Sequence, residues 1–534
     1  MNQHTGPSTD VGSTPGEVID PRAGRSSGDH SNRLIVVSNR LPIVVTQEEG
    51  GEWMFSPGSG GLVTALVPVL RDRGGVWIGW PGTTADVPNL DQLLHDGTGE
   101  FGYELRPVLL SEEEHELFYH GYSNETVWPL FHDLQSQAVF QPTYRSAYEQ
   151  VNRKYAEAIA EACTPDDFIW VHDYHLMLVG EMLREISDCT NLAFFLHIPF
   201  PHPDIFMKLP GCGAVLKALL SFNLIGLQTQ RDHRNFVQCV RTLLKPARVK
   251  VARGMATIWT DDREVHVGAF PIGIDARDFA ARAARDEVAE KAWFIHEELP
   301  DRQIVLGVDR LDYTKGIPHR LEAFRNLLSR HPDLHGHVNL IQVVVPSRVG
   351  IPKYDALKTE IEQLVGEING RFTQSGWVPI HYIFRSLSQI ELLGYYRTAE
   401  VALITPLKDG MNLVAKEFCA CSLEENAVLV LSQFAGASAQ LGRHALVVNP
   451  YDVEETADAL FRALTMPTDE RRYHMHRLRR NIRRQDIFWW VDSFMKAAID
   501  KDLRSFPVIE EYIPPHDRED VQGWTSQGEG PPHT

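Results

Sequence analysis

The sequence predicts an α/β protein of two doubly wound, Rossmann-like units that face each other across a cleft. Three observations carry this. Short runs rich in Val, Ile and Leu alternate with segments of helical period, the pattern of parallel strands covered on both faces. The alternation runs from Leu34 to about Phe270 and restarts at Ile304. The length, 534 residues, suits two or three domains, and an apolar content of 43% suits a large core. In this architecture ligands bind beyond the carboxyl ends of the strands.

Taken in order, residues 1–30 contain no Leu and no aromatic side chain. They cannot bury enough surface to offset ordering and are expected to be disordered, as is the tail 514–534. LIVVS (34–38) reads as a strand, and FIWVHD (168–173) as another, with helical spacing over Leu176–Ile186. NLAFFLHI (191–198) and LIGLQT (224–229) follow, the latter leading into a helix over Asp232–Leu244. A boundary is expected near Phe270–Ile274. IVLGVD (304–309) then precedes a helix from about Ile317 to Ser329. The strands VNLIQVVVP (338–346), HYIF (381–384), VALITP (401–406), AVLVLS (427–432) and ALVVNP (445–450) complete the second series. A last helical stretch spans Asp469–Ile499, and its basic run RLRRNIRR (477–484) reads as a solvated face.

Lys plus Arg number 52 and Asp plus Glu 71, a formal charge of −19. So acidic a surface argues against nucleic acid or an anionic membrane as partner. The longest apolar runs are far short of a membrane span, and no signal peptide is visible. Cysteines at 163, 189, 212, 239, 419 and 421 form no C-x-x-C pair and read as reduced, cytoplasmic thiols.

The chemistry is expected at strand ends. Arg40 closes the first strand in SNRLP, where an arginine either points into the cleft or, more commonly, lies on the surface. In GSGGLVT (58–64), Gly60 and Gly61 let backbone amides approach an anion at a helix start, or form an ordinary turn. WVHDYH (170–175) brings Asp173, Tyr174 and His175 to a strand end. Metal binding by His172 and His175 is not expected, because a strand end seldom directs both rings to one point. His197 ends the next strand beside Pro199 and Pro201. GVDRLDYTKG (307–316) sets Arg310 and Lys315 ahead of a helix, as a diphosphate site requires. Arg348 leaves the following strand in the same way.

TPLKDGMNLVAKE (405–417) places Asp409 in a loop, then backbone N–H groups from Gly410 to Leu413 as a helix begins. Glu417, about two helical turns on, reaches the same pocket. Carboxylates suit sugar and ribose hydroxyls, and amides suit a phosphate or a leaving-group oxygen. Cations, carboxylates and helix N-termini in one cleft describe a transferase for a nucleotide-activated sugar. Arg40 and Arg348 point to an acceptor that is also phosphorylated.

In order along the chain, VVSNRLP, GSGGL, WIGWPG, NETVWPLFH, WVHDYH, FFLHIPFP, GVDRLDYTKGIP, PSR and LKDGMNLVAKEF closely resemble the trehalose-6-phosphate synthases. These are retaining glycosyltransferases of the two-Rossmann, glycosyltransferase-B type. The resemblance runs from about Arg33 to Met495. It implies glucose transfer from a nucleotide-diphosphoglucose to glucose 6-phosphate, giving α,α-trehalose 6-phosphate. It divides the chain into an acceptor-side unit (31–270), a donor-side unit (271–485) and a helix crossing back (486–513).

Residue by residue, the resemblance implies that Arg310 and Lys315 hold the donor diphosphate, helped by the amides of Gly410, Met411, Asn412, Leu413 and Val414. Gly61 approaches the diphosphate, Asp409 and His197 contact the donor glucose, and Glu417 binds the ribose. Arg40, Tyr119, Trp128 and Arg348 hold the acceptor and its phosphate. Asp173 orients acceptor hydroxyls, and Trp80 lines the pocket. Asp173, His197, Arg310, Lys315 and Asp409 form the catalytic set. No carboxylate stands out as a covalent nucleophile, so front-face attack is expected. No metal or other cofactor is required, since Arg310 and Lys315 supply the charge. The one D-x-D, Asp500–Asp502, follows a helix. The resemblance also implies a cytoplasmic homo-oligomer, dimer or tetramer. Enzymes making sucrose phosphate or glucan, or an inactive sugar-phosphate-binding regulator, are the alternatives. The donor base is left open among uridine, adenosine and guanosine.

Overall fold

A computed structural model describes residues 33–47, 53–58, 61–90, 92–94, 102–244, 248–348, 351–499 and Tyr512. The two tails read as disordered, Gly60 and Asp500–Asp502 lie outside the described residues.

The strands of the first half are β1 (Leu34–Arg40), β2 (Ile43–Gln47), β3 (Trp53–Pro57), β4 (Gly75–Trp80), β5 (Glu104–Pro107), β6 (Phe168–His172), β7 (Leu192–Phe195), β8 (Leu224–Leu227), β9 (Arg248–Ala252), β10 (Met255–Trp259) and β11 (Glu264–Ala269). Among the described residues, all but β2 and β3 form one sheet, ordered β5-β4-β1-β6-β7-β8-β11-β10-β9. The second half contributes β12 (Gln303–Arg310), β13 (Val338–Val345), β14 (Ile380–Phe384), β15 (Val401–Ile404), β16 (Val428–Ser432) and β17 (Leu446–Val448). Their order is β14-β13-β12-β15-β16-β17, parallel throughout.

Each sheet has a switch point where the chain reverses its direction of winding. In the first, β1 lies between β4 and β6; in the second, β12 lies between β13 and β15. Crevices open there, outside the carboxyl ends of the strands. The strands end in the residues expected to carry chemistry. Arg40 stands opposite Trp80 across the β1–β4 ladder. β12 is buried from Ile304 to Asp309 and then exposes Arg310.

Apolar clusters cover both faces of both sheets. The helix Ile487–Ile499 packs on the first sheet, with Phe494 stacked 4.4 Å from Trp170 and Trp490 at 5.2 Å. The chain therefore passes between the units twice, and the two passages touch. Ile487 N–H donates to Ile274 O at 3.1 Å. A Cβ on Gly273 would lie 2.4 Å from the Asp486 carbonyl carbon. Among the described residues no helix is long and apolar enough to cross a membrane.

Four expectations need correction. The first sheet is not wholly parallel: β10 pairs antiparallel with β9 and β11, forming an edge ribbon. The helix read over Leu176–Ile186 is a short 3-10 turn, Tyr174–Leu176, then a helix over Val179–Ile186. The helical stretch Asp469–Ile499 is two helices, Thr468–Arg484 and Ile487–Ile499, broken where Asp486 accepts a hydrogen bond from Trp489 N–H at 2.9 Å. Finally, Cys163 and Cys189 form a disulfide, so not all six thiols are free. Their spacing hides this, because Cys163 caps the helix Pro142–Ala162 and Cys189 precedes β7.

Candidate active site in the cleft between the sheets

On the first sheet, Arg40 is exposed at the end of β1 with its guanidinium 5.0 Å from the Trp80 ring centre. It donates to Gly82 O at 3.4 Å. The Trp80 ring begins a ladder: His115 lies 4.4 Å away, Tyr119 stacks 5.1 Å beyond it, and His175 stacks 5.8 Å beyond that. His115 and Tyr119 belong to a π-helix, His115–Val127, a form concentrated at functional sites. Burial, with His120 and Arg40 nearby, pulls His115 down to about 4, and burial pulls His175 down to about 3, so both imidazoles are neutral at pH 7.

Asp173 follows β6 with φ 74°, and its Oδ1 accepts from His197 N–H at 3.2 Å. Burial pushes its carboxyl up to about 7. His197 is held on both ring nitrogens: Nε2 lies 3.2 Å from His172 Nδ1, and Nδ1 lies 3.3 Å from Gln228 Nε2. Burial pulls it down to about 3. It is a neutral ring already engaged by protein partners on both sides. His172 thus faces His197 rather than His175. Among the described residues, no group of three His, Cys, Asp or Glu side chains is arranged to hold a metal ion.

On the second sheet, Arg310 has no ion-pair partner among the described residues. Lys315 Nζ lies 2.5 Å from Asp409 Oδ2. Burial works to raise the Asp409 carboxyl, but Lys315 outweighs it and holds the group below the usual range. Asp409 also accepts from Met411 N–H at 3.2 Å and from Asn412 Nδ2 at 3.3 Å. Asn412, at φ 66°, caps the helix Leu413–Cys421 by accepting from Ala415 N–H at 3.1 Å. The GMNLV amides are therefore partly engaged by their own loop, which holds it in shape. Glu417 accepts from Tyr396 Oη at 3.0 Å, and burial raises its carboxyl. Gly61 is the first residue of the helix Gly61–Arg73.

The two sheets meet through these loops. Arg348, leaving β13 at φ 51°, carries its guanidinium 4.3 Å above Trp128 of the first unit. It pairs with Asp312 at 3.5 Å and donates to Tyr354 Oη. Burial opposes its charge, yet Asp312 and the surrounding tyrosines hold the guanidinium firmly protonated. Lys408 reaches across to Asp133 at 2.7 Å. A Cβ on Gly410 would lie 2.4 Å from His197 O, so only glycine lets the Asp409 loop rest on the end of β7.

Eight described non-glycine residues have positive φ. Asp173, Arg348 and Asn412 are among them, as is Asp133, the partner of Lys408. Such strain gathers where a fold holds side chains for function. Behind Arg310, Arg320 is fully buried, donating to Asp309 Oδ2 at 2.6 Å and to Thr405 Oγ1 at 3.1 Å. It joins β12 to the loop after β15. Residues missed by sequence reasoning include Asp312, Gln228, Lys408 and Arg320. Asp312 and Lys408 lie inside motifs already singled out, while Gln228 and Arg320 leave no local signal.

The family model for glycosyltransferase family 20 matches residues 32–500. A trehalose-6-phosphate synthase of Mycolicibacterium paratuberculosis is 39% identical over 489 residues, covering 90% of this chain and 98% of that protein. The α,α-trehalose-phosphate synthase [UDP-forming] of Candida albicans is 38% identical, covering 87% of this chain and 96% of its own length. A Dictyostelium discoideum relative, 38% identical, is longer, and the match spans 62% of it.

Among solved structures, the Burkholderia xenovorans α,α-trehalose-phosphate synthase in complex with glucose-6-phosphate is 33% identical with a TM-score of 0.78, covering 88% of this chain and 100% of that one. An Escherichia coli structure bound with UDP-2-fluoro glucose is 35% identical with a TM-score of 0.78, covering 88% and 99%. Sequence and fold agree over nearly the whole described chain, and the chain belongs to glycosyltransferase family 20, with the trehalose-6-phosphate synthases.

Proposed function

We propose that the cleft transfers glucose from UDP-glucose to glucose 6-phosphate with retention, forming α,α-trehalose 6-phosphate and UDP. The observation that carries this reading is Arg348 above Trp128: one unit supplies the cation and the other the ring, beside Asp312. A phosphorylated acceptor at that seam lies next to the cations of the second sheet. UDP as the leaving nucleotide rests on the relatives named UDP-forming.

In this reading the donor diphosphate lies against Arg310, Lys315, Gly61 and the amides of residues 410–414, with the ribose on Glu417. Asp409 meets the donor glucose, and His197 does so by exchanging one of its present ring partners, His172 or Gln228, for a sugar hydroxyl. Arg40, Trp80, Tyr119, Trp128 and Arg348 take glucose 6-phosphate, and Asp173 accepts from its hydroxyls. The acceptor's anomeric hydroxyl attacks donor C1 from the face the diphosphate leaves. The C1–O bond to phosphate breaks, the new C1–O bond forms, and the hydroxyl proton passes to the departing phosphate oxygen. The protein aligns the partners and stabilises the leaving charge. Residues 31–270 form the acceptor side and 271–485 the donor side. The reading extends to a cytoplasmic homo-oligomer, dimer or tetramer, whose mass light scattering measures.

The test is UDP release from UDP-glucose with glucose 6-phosphate, fructose 6-phosphate or a maltooligosaccharide. Glucose 6-phosphate is the expected acceptor; turnover with the glucan or fructose 6-phosphate alone would sink the reading.

A further inference from the structure

The helix Pro142–Ala162 carries no residue that the reading above places in the cleft, yet it touches four of the segments forming the acceptor side. Tyr148, Asn152 and Tyr155 are fully buried on it. Their spacing of four and then three residues puts them on one helical face. None of the three spends its polar atoms on the core.

Tyr155 Oη donates to Asn39 O at 2.8 Å and accepts from Trp80 N–H at 3.2 Å, gripping β1 beside Arg40 and β4 at Trp80. Tyr148 Oη donates to Tyr174 O at 2.7 Å and accepts from Met177 N–H at 3.0 Å. Asn152 Nδ2 donates to His175 O at 3.0 Å, and Oδ1 accepts from Leu178 N–H at 3.1 Å. Those last four bonds hold the turn that follows Asp173. The same helix sets Tyr148 4.3 Å from Tyr122, and Tyr144 Oη donates to Glu125 at 2.9 Å, both on the π-helix that carries Tyr119.

The helix itself is fixed at both ends. Arg145 Nη1 donates to Pro210 O at 2.9 Å near its start. At its finish, Arg33 Nη2 donates to Ala162 O at 3.0 Å, and Cys163 is joined to Cys189.

We propose that Tyr148, Asn152 and Tyr155 are positioning residues that set the geometry of the acceptor subsite, and so its affinity for a phosphorylated hexose, without touching it. This deepens the reading above and rests on it. Each side chain satisfies one backbone donor and one backbone acceptor on the segments it holds, and Asn152 Nδ2 also donates to Tyr148 O on its own helix at 2.9 Å. Loss of a side chain leaves both buried groups on those segments unpaired and lets the segments shift. Arg40, Trp80 and Asp173 then move relative to one another, whereas Arg310, Lys315 and Asp409 stand on the other sheet and do not.

The experiment titrates the full-length protein and its Tyr155→Phe, Tyr148→Phe and Asn152→Ala variants by calorimetry. The probes are UDP alone, then glucose 6-phosphate with UDP saturating. The expected result is a dissociation constant for glucose 6-phosphate raised about tenfold or more, with that for UDP held within about twofold. Equal weakening of both ligands, or no change in either, would overturn the proposal. So would loss of a cooperative thermal transition in all three variants, which would make the face a piece of core. Wild-type protein that fails to bind or use glucose 6-phosphate condemns the functional reading instead. Unchanged variants beside a working wild type condemn only the role of the helix.

Discussion

Lys315 Nζ lies 2.5 Å from Asp409 Oδ2, tying the loop after β12 to the loop after β15. Both side chains are nearly out of solvent, at 13% and 10% exposure. One of the two cations expected at the diphosphate thus already neutralises the carboxylate expected at the sugar. A buried pair broken on one side leaves an uncompensated charge.

Lys315→Met should therefore cost about 3–5 kcal/mol of stability at pH 7, read from urea midpoints. The pH dependence has a definite sign. Lys315 holds the Asp409 carboxyl below its usual range. Its contribution is present above the free-aspartate value near pH 4 and is lost as pH falls through the folded value. The gap between wild type and variant should be full at neutral pH and narrow below about pH 4, as the Asp409 carboxyl takes up its proton. A gap below about 1 kcal/mol at pH 7 would put the pair in the class of weak surface bridges.

Arg310 and Arg348 should separate by substrate. Arg310 is an exposed cation at a strand end, free to meet the leaving diphosphate. Arg310→Ala should lower kcat/KM by about 10²–10³, the scale of one lost transition-state stabiliser. Arg348 is locked against Trp128 and Asp312. Arg348→Ala should mainly raise KM for glucose 6-phosphate. A weakened donor with an unchanged acceptor KM would place Arg348 on the wrong substrate.

Asp173 should give acceptor binding a pH dependence near neutrality. Burial raises its carboxyl to about 7, so it is protonated at lower pH and charged above. Its contribution to folding is present at low pH and lost as pH rises through about 7. Acceptor binding, which uses the carboxylate, runs the opposite way and strengthens over that range. The profile of kcat/KM for glucose 6-phosphate should rise through this region and flatten in Asp173→Asn. Ionisation of the substrate phosphate is common to both enzymes and cancels in their ratio. Parallel profiles would remove Asp173 from acceptor binding.

Gly410→Ala tests the seam between the units. The added methyl would lie 2.4 Å from His197 O, a backbone atom that cannot swing aside. The Asp409 loop must lift from β7, and kcat/KM should fall about 10²-fold, as displacements of about 1 Å do elsewhere. A variant within about threefold of wild type would show that this contact does not align the substrates.

Most of the parallel strands are legible because each is an apolar run that must be covered on both faces. The ribbon of β9 and β10 is not, because RVKVA is mostly exposed and has no continuous apolar run to mark it. The loop cations announce themselves by standing alone after buried strands. Their partners do not: Lys315 and Asp409 are 94 residues apart, and Arg320 is 85 from Thr405. The π-helix His115–Val127 is hidden because its wider turn leaves no regular apolar period. The strained backbone at Asp173 and Arg348 is hidden too, since sequence usually marks positive φ with glycine.

The double passage between the units, closed where Gly273 meets Asp486, bears on how the enzyme can be taken apart. Cutting the chain after Phe270 would not release a finished first unit. Trp490 and Phe494, which cover Trp170, Phe195 and Phe270, arrive only from the far end of the chain. A fragment ending at the first crossing would be born with a bare aromatic face and should aggregate. Ribosomal synthesis must accordingly reach Phe494 before the half made first can close its core, so the first unit is both the first begun and the last completed.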